Sequence, residues 1–134
     1  MSVSKFIIDT NIIFSALYSP LSNAGIIIEK AIEKKVILYS PEEVKKELER
    51  NLKNKLEMNE EEINFILSSL PINWLNKKLY QSFIKKAEKL ISKKDTPILA
   101  AHYMTNYPII TGDKEFFQIK NLKIKTLREI VEEL

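Results

Sequence analysis

The chain has 134 residues and a formal net charge of +3. Hydrophobic residues make up 45% and charged residues 29%, which are proportions typical of a globular domain. The absence of cysteine excludes disulfides, thiolate metal sites and cysteine nucleophiles, and a single histidine excludes a histidine metal cluster. With only two glycines, the sequence has no glycine-rich phosphate loop. We expect one domain spanning residues 1–134. The small positive charge does not by itself indicate nucleic-acid binding.

Short apolar segments and helix-start residues alternate along the chain. The segments predict four or five strands, with 72–75 at a sheet edge, in the order 6–8, 36–39, 72–75, 108–111 and 122–124. The residues between them predict helices at 12–18, 24–34, 41–54, 59–70, 78–92, 95–105 and from about 126. Strands of about four residues that alternate with helices predict an α/β fold. We expect a three-layer α/β/α sandwich with a short, mainly parallel sheet.

Two of these helices rest on specific local patterns. The helix at 41–54 is predicted from Ser40 as its cap and Pro41 as its first residue. The helix at 78–92 is predicted from Leu79, Phe83, Ala87 and Leu90, which recur at helical spacing.

The apolar residues near the start of the chain do not form a membrane span. The stretch 6–17 is interrupted by Asp9, Thr10 and Asn11 and is far shorter than a bilayer requires. We therefore expect a cytoplasmic protein with no membrane partner.

The chain contains only three aspartates, and each lies at a predicted junction between a strand and a helix. Asp9 directly follows the first strand, Asp113 follows the strand at 108–111, and Asp95 begins the helix that leads to that strand. Ligands of open parallel sheets bind beyond the carboxyl ends of the strands. We expect these three short carboxylates to share one pocket, where metal-ion chemistry is the commonest use of such a group.

Each aspartate also has a structural explanation. Asp9 is suited to capping a helix, Asp113 to a turn after Gly112, and Asp95 to a cap, although Thr96, directly before Pro97, is better placed for that. Taken together, with no other aspartate in the chain, the three favour a functional site.

A fourth carboxylate is expected on the helix after the second strand. Val44, Leu48 and Leu52 form its buried stripe. At ~100° per residue, Glu47 and Glu49 flank that stripe about equally. Helical spacing therefore leaves Glu47 and Glu49 as equal candidates.

Four stretches together make the chain resemble the PIN-domain nucleases along nearly its whole length. They are Phe6-Ile7-Ile8-Asp9-Thr10-Asn11, Ser40-Pro41-Glu42-Glu43-Val44-Lys45-Lys46-Glu47-Leu48, Asp95-Thr96-Pro97-Ile98-Leu99-Ala100-Ala101 and Ile110-Thr111-Gly112-Asp113-Lys114-Glu115-Phe116. Any one of them is weak, but four in this order and spacing are fairly specific. The resemblance implies a PIN-like, 5′-nuclease-like sandwich with an acidic pocket for Mg²⁺ or Mn²⁺.

The same resemblance implies a role for individual residues. It selects Glu47 as the helix carboxylate, and the catalytic and metal-binding set becomes Asp9, Glu47, Asp95 and Asp113. Asn11 and Thr111 match polar positions that line the pocket. Glu115 stands where many relatives carry an aspartate, and its longer side chain leaves its role open.

The implied activity is metal-dependent hydrolysis of single-stranded RNA, which leaves 5′-phosphate and 3′-hydroxyl ends. We expect Asp9 and Asp113 to be the central ligands, while Asp95 and Glu47 hold a second ion or orient the attacking water. Lys114 and Lys94 are candidates for substrate contacts at the rim, although solvated surface lysines explain them as well.

The resemblance further implies the toxin half of a toxin–antitoxin pair, with a small antitoxin protein as partner, and a homodimer. Apolar helices with Ile12, Ile13, Ile26, Ile27 and Ile28 are compatible with a subunit interface. A helix buried on several sides within one chain explains them equally well.

Two other classes of protein compete with the nuclease. One is a non-catalytic nucleic-acid-binding or scaffold module that retains the PIN fold, and the retained acidic residues argue against it. The other is a receiver-like signalling domain, which would need an aspartate after a middle strand. No aspartate occurs between Asp9 and Asp95.

Overall fold

Five strands form one parallel sheet in the computed structural model, which describes residues 3–134. The strands are β1 (Ser4–Ile8), β2 (Val36–Pro41), β3 (Ile72–Leu75), β4 (Ile109–Ile110) and β5 (Ile124–Lys125). Their order is β3-β2-β1-β4-β5, and every neighbouring pair is parallel. The predicted α/β/α sandwich is confirmed, and β3 lies at the sheet edge as expected.

Helices connect the strands and cover the sheet. In the described part of the chain they are α1 (Thr10–Tyr18), α2 (Asn23–Ile32), α3 (Glu42–Lys55), α4 (Glu60–Ser69), α5 (Lys77–Tyr80), α6 (Ile84–Glu88), α7 (Thr96–Thr105), α8 (Lys114–Phe117) and α9 (Leu127–Glu133). β1 is central, and Ile7 and Ile8 are fully buried because helices cover both faces of the strand.

The strand order reverses at β1, and this reversal positions the site. From β1 the chain moves outward to β2 and β3 on one side, and it later returns to β4 and β5 on the other. Asp9 follows β1, and Thr111 to Asp113 follow β4. In a parallel sheet, the connections leave a crevice at this reversal, beyond the carboxyl ends of the strands.

The start of α3 differs from the prediction by one residue. Pro41 occupies the cap position with extended backbone, and Glu42 is the first helical residue. Ser40 is not the cap, because it lies in β2 and its hydroxyl donates a 2.7 Å hydrogen bond to the Ile8 carbonyl. The buried hydroxyl thus links β2 to β1, where an unpaired polar group would be costly.

The predicted helix at 78–92 is broken into α5, a 3₁₀ turn at Gln81–Phe83, and α6. Leu79 and Leu90 are exposed, whereas Tyr80 and Ala87 are fully buried. Two overlapping apolar stripes have helical spacing here, and packing selects the one that contains Tyr80. Of the four residues on which the predicted helix rested, Ala87 is fully buried, Phe83 is partly buried, and Leu79 and Leu90 are exposed.

The early apolar helices are largely explained by burial within the chain. Ile12, Ile13 and Ile27 belong to the core, and Ile26 and Ile28 are partly buried. Within residues 3–134, no single helix has the length and apolarity to cross a membrane. α1 and α2 meet those two criteria only as a pair bent by 95°.

Candidate active site

Asp9 is fixed by hydrogen bonds at the carboxyl end of β1. Its Oδ1 accepts a 3.0 Å hydrogen bond from the Ile12 backbone N–H, so the side chain caps α1. Its Oδ2 accepts a 2.8 Å hydrogen bond from the Thr111 hydroxyl, which lies beyond β4. The Thr111 oxygen in turn accepts a 3.0 Å hydrogen bond from the Asp113 N–H. Asp9 is therefore both a helix cap and part of a network that joins β1 to β4.

A cluster of three carboxylates lies beside this network. One oxygen each from Asp95, Asp113 and Glu115 can be chosen so that all three atoms lie within 4.8 Å of one another. Asp95 is buried, Asp113 is partly buried and Glu115 is exposed, so the cluster opens to solvent at the Glu115 end. We call these three residues the carboxylate cluster.

Helix geometry places the members of the cluster. Asp113 caps the short helix α8, because its Oδ1 accepts a 3.0 Å hydrogen bond from the Glu115 N–H. Asp95 ends a 3₁₀ turn before α7 and makes no side-chain cap hydrogen bond. Thr96 does not cap α7 either, since its hydroxyl donates to the Ser92 carbonyl at 3.1 Å. The Asp95 carboxylate is thus directed to its acidic neighbours rather than to the helix.

Ser92 bridges two members of the cluster. Its hydroxyl lies 2.8 Å from Oε2 of Glu115 and 3.4 Å from Oδ2 of Asp95. One hydroxyl proton cannot be donated fully to both acceptors. The shorter contact, to Glu115, is the hydrogen bond that holds the longer side chain against the cluster.

Crowding and burial shift the pKa values of two aspartates. Burial, and after it the adjacent carboxylates of Asp113 and Glu115, raise the pKa of Asp95 to about 7. Burial also raises the pKa of Asp9, opposed by its hydrogen bonds from Thr111 and Ile12. Without a cation, the pocket therefore retains a proton near neutral pH.

Glu47 lies on the α3 side of the crevice. Its Oε2 accepts a 3.0 Å hydrogen bond from the hydroxyl of Thr10, the residue after Asp9. Glu47 is partly buried, whereas Glu49 is exposed. This contact separates the two candidates that helical spacing left equal. Among the described residues, Glu47 and Asp9 stand outside the carboxylate cluster.

The other expected site residues divide between the pocket and the surface. Asn11 is exposed and lines a cleft together with Asp9, Thr111 and Asp113. Lys94 lines another with Glu47, and its charge lowers the pKa of Asp9. Lys114 is exposed on α8 and forms no ion pair with another described residue.

The residues present fit a hard divalent cation such as Mg²⁺ or Mn²⁺. Every available side-chain donor in the cluster is a carboxylate oxygen, the ligand that such ions prefer. Burial and the neighbouring carboxylates raise the pKa of Asp95, as expected for a carboxylate crowded by like charges. Asp95, Asp113 and Glu115 would hold an ion, and Asp9 adjoins them through Asp113.

Sequence reasoning left the role of Glu115 open and did not consider Ser92. A signal for each was present, since Glu115 follows Asp113 by two residues and Ser92 precedes Asp95 by three. Such spacings are common in turns and helix starts, so they did not stand out. Only the folded chain shows that the two side chains meet.

Comparison with known proteins agrees with the fold described above. A family model described as the PIN domain matches residues 7–134. A similar solved structure is the crystal structure of VapBC2 from Rickettsia felis bound to a DNA fragment from their promoter. It has a TM-score of 0.66 and 20% sequence identity, with 91% of this chain and 98% of that chain covered. Proteins with curated descriptions give no match. The family match over most of the chain, on the fold and acidic crevice described above, shows that the chain belongs to the PIN-domain family.

Proposed function

We propose that the protein is a metal-dependent endoribonuclease that hydrolyses phosphodiester bonds of single-stranded RNA. The observation that carries the proposal is the carboxylate cluster at the carboxyl end of a parallel sheet, with Asp9 adjoining it. Three carboxylates that lie so close are unfavourable unless protons or cations offset their charge. Membership of the PIN-domain family supports the same reading.

We assign a separate role to each of the acidic residues. Asp95, Asp113 and Glu115 would hold Mg²⁺ or Mn²⁺, which when bound stabilises charge on the phosphate and makes a water a better nucleophile. Thr111 and the Ile12 N–H fix the orientation of Asp9 next to the cluster. Glu47, whose side chain is held by the hydroxyl of Thr10 next to Asp9, would accept a hydrogen bond from the attacking water.

We further propose that the protein is the toxin of a toxin–antitoxin pair, acts in the cytoplasm as a homodimer and is inhibited by a small antitoxin protein. The structural similarity to VapBC2 from Rickettsia felis supports this assignment. Purification together with the product of a neighbouring short reading frame would test the partner, and light scattering would test the dimer.

Incubation with labelled single-stranded RNA tests the nuclease activity. We expect cleavage with Mn²⁺ or Mg²⁺, none with chelator, and none from the Asp9→Asn variant. Glu49→Gln is the matched control, because this glutamate is exposed on α3 and should leave cleavage unchanged. Binding of RNA without cleavage under any metal would instead support a non-catalytic module. Cleavage that survives Asp9→Asn would contradict the proposed site.

A further inference from the structure

A cleft of about 740 Å³ opens beside the carboxylate cluster and shares only Glu115 with it. It lies between α6, α7 and α8. Glu115 belongs both to its wall and to the carboxylate cluster. A chain molecule that lies in this cleft would therefore reach the cluster at one end. We call this feature the basic cleft, for the residues that line it.

Three lysines give the basic cleft its charge. Lys86, Lys89 and Lys120 line it, and all three are exposed. None of them forms an ion pair with another residue in the part of the chain that the structure describes. Three unpaired cations against the single carboxylate of Glu115 give the cleft a net positive charge. This charge favours a polyanion over a neutral or basic partner.

Tyr103, Leu90 and Ile119 add aromatic and apolar surface to the basic cleft, beside polar Gln118 and Asn121. The ammonium group of Lys86 lies 4.1 Å from the centre of the Tyr103 ring, so a cation already occupies one ring face. Leu90 also lines the cleft and is 46% exposed. Cationic side chains together with aromatic and apolar surface can bind the phosphates and the unstacked bases of a single strand.

We propose that the basic cleft binds the nucleotides on one side of the cleaved phosphate of a single-stranded RNA. Lys86, Lys89 and Lys120 contact phosphates, and a base stacks on Tyr103 in exchange for the Lys86 ammonium. The assignment rests on the proposed nuclease function, because it takes the substrate class from there. It adds the path of the substrate and the residues that set its affinity.

Binding measured without cleavage tests the cleft separately from the chemistry. A fluorescein-labelled single-stranded RNA of about twelve nucleotides is titrated in EDTA, and its anisotropy is followed at several salt concentrations. We expect the triple variant Lys86→Gln, Lys89→Gln, Lys120→Gln to bind at least about tenfold more weakly. The slope of log affinity against log salt should fall in magnitude by about 2, since each phosphate contact on a single strand contributes about 0.7.

A charge-matched control separates the cleft from general basicity. The triple variant Lys5→Gln, Lys35→Gln, Lys53→Gln removes the same charge from exposed positions outside the cleft. It should keep most of the affinity and of the salt slope. Tyr103→Leu keeps apolar volume and all lysines, so it should lose roughly tenfold in affinity with an unchanged salt slope. Thermal unfolding of each variant verifies that it is folded.

The outcomes distinguish failure of the cleft from failure of the proposed function. If the wild-type protein binds and cleaves RNA but the two triple variants have equal affinities, the proposal that the basic cleft binds RNA is wrong. The proposed nuclease activity would still hold. Wild-type protein that neither binds nor cleaves RNA would overturn both. Binding of a glutamate-rich peptide is measured in the same way. If substitution of the cleft lysines weakens peptide binding but leaves RNA binding unchanged, the cleft is a protein-docking site and the proposal is wrong.

Discussion

The two halves of the acidic crevice are built in opposite ways. On the side of α1 and α3, Asp9 and Glu47 each accept hydrogen bonds from neighbouring donors, which are supplied by Thr111, Ile12 and Thr10. On the side of α7 and α8, Asp95, Asp113 and Glu115 mainly face one another, and the Ser92 hydroxyl is shared. One half is arranged before any ligand arrives, whereas the other is unfavourable until a cation or proton arrives. The proposed metal ion would therefore bind mainly to the second half.

The largest effect should come from removing a charge from the carboxylate cluster. Asp113→Asn should weaken Mn²⁺ binding by more than about a hundredfold, because substitution of groups that only orient a metal ligand already costs 10- to 100-fold. Glu47→Gln, in the hydrogen-bonded half, should lose no more than about tenfold. Calorimetric titration with Mn²⁺ measures both, with Glu49→Gln as control. Similar losses for Asp113→Asn and Glu47→Gln would remove the distinction between the halves.

The next largest effect should be the pH dependence of the stability of the metal-free protein. Asp95 has a pKa of about 7 when folded and an ordinary value of 3.8, so the folded state binds more protons between these values. The stability of the protein in EDTA should therefore fall as the pH rises from about 4 to about 7. Above about pH 7, Asp95 should cause little further change in stability. Asp95→Asn should remove this part of the loss. The comparison is made by thermal unfolding at pH 5 and pH 8.

Excess Mn²⁺ should reverse that trend, because the ion competes with the proton on Asp95. The increase in melting temperature on adding Mn²⁺ should be larger at pH 8 than at pH 6. An Asp95→Asn variant with the same pH dependence as wild type, with or without metal, would show that the charge of this residue is stabilised by another group.

A smaller effect is expected from the hydrogen-bonded half. Thr111→Val preserves shape but removes the donor to Asp9 and the acceptor for the Asp113 N–H. The buried groups left unpaired should cost about 1–3 kcal/mol of unfolding free energy. Thr10→Val removes only the donor to the partly buried Glu47 and should cost less. Urea denaturation of both variants gives the ranking, and a cost for Thr10→Val equal to or above that of Thr111→Val would contradict it.

The smallest effect should follow from Ser92→Ala. Loss of the hydroxyl frees Glu115 from the cluster, so Mn²⁺ affinity should fall by roughly tenfold with little change in stability, because Ser92 is exposed. Ser68→Ala is a suitable control, since this exposed serine bonds only within its own helix. Unchanged Mn²⁺ affinity would mean that Glu115 does not contribute a ligand.

The sequence predicted the parts of this molecule that depend on chain order and local chemistry. The sheet and its edge strand followed from alternation of apolar segments and helix starts. The positions of Asp9, Asp95 and Asp113 followed from their places at strand and helix ends. The helix predicted at 59–70 was also placed closely: α4 spans Glu60–Ser69, and Asn59 before it forms a full capping box.

The remainder depended on contacts between distant segments. Glu47 and Glu49 are equivalent by helical angle, and only the hydroxyl of Thr10, 37 residues away, separates them. Leu90 and Tyr80 belong to overlapping stripes, and the choice depends on which side chain fills the core. Glu115 and Ser92 are 23 residues apart and ordinary in isolation. Periodicity measures a preference within one segment, so it has no information on such pairs.

The bond between Thr111 and Asp9 has a consequence for how the protein is made. The two residues are separated by 102 positions, so a ribosome releases the Asp9 end long before the hydroxyl that orients it exists. A partly synthesised chain can carry Asp9, Glu47 and Asp95 but has neither Asp113 nor Glu115. The acidic crevice can therefore form only near the end of translation, and fragments from interrupted synthesis should lack the proposed nuclease activity.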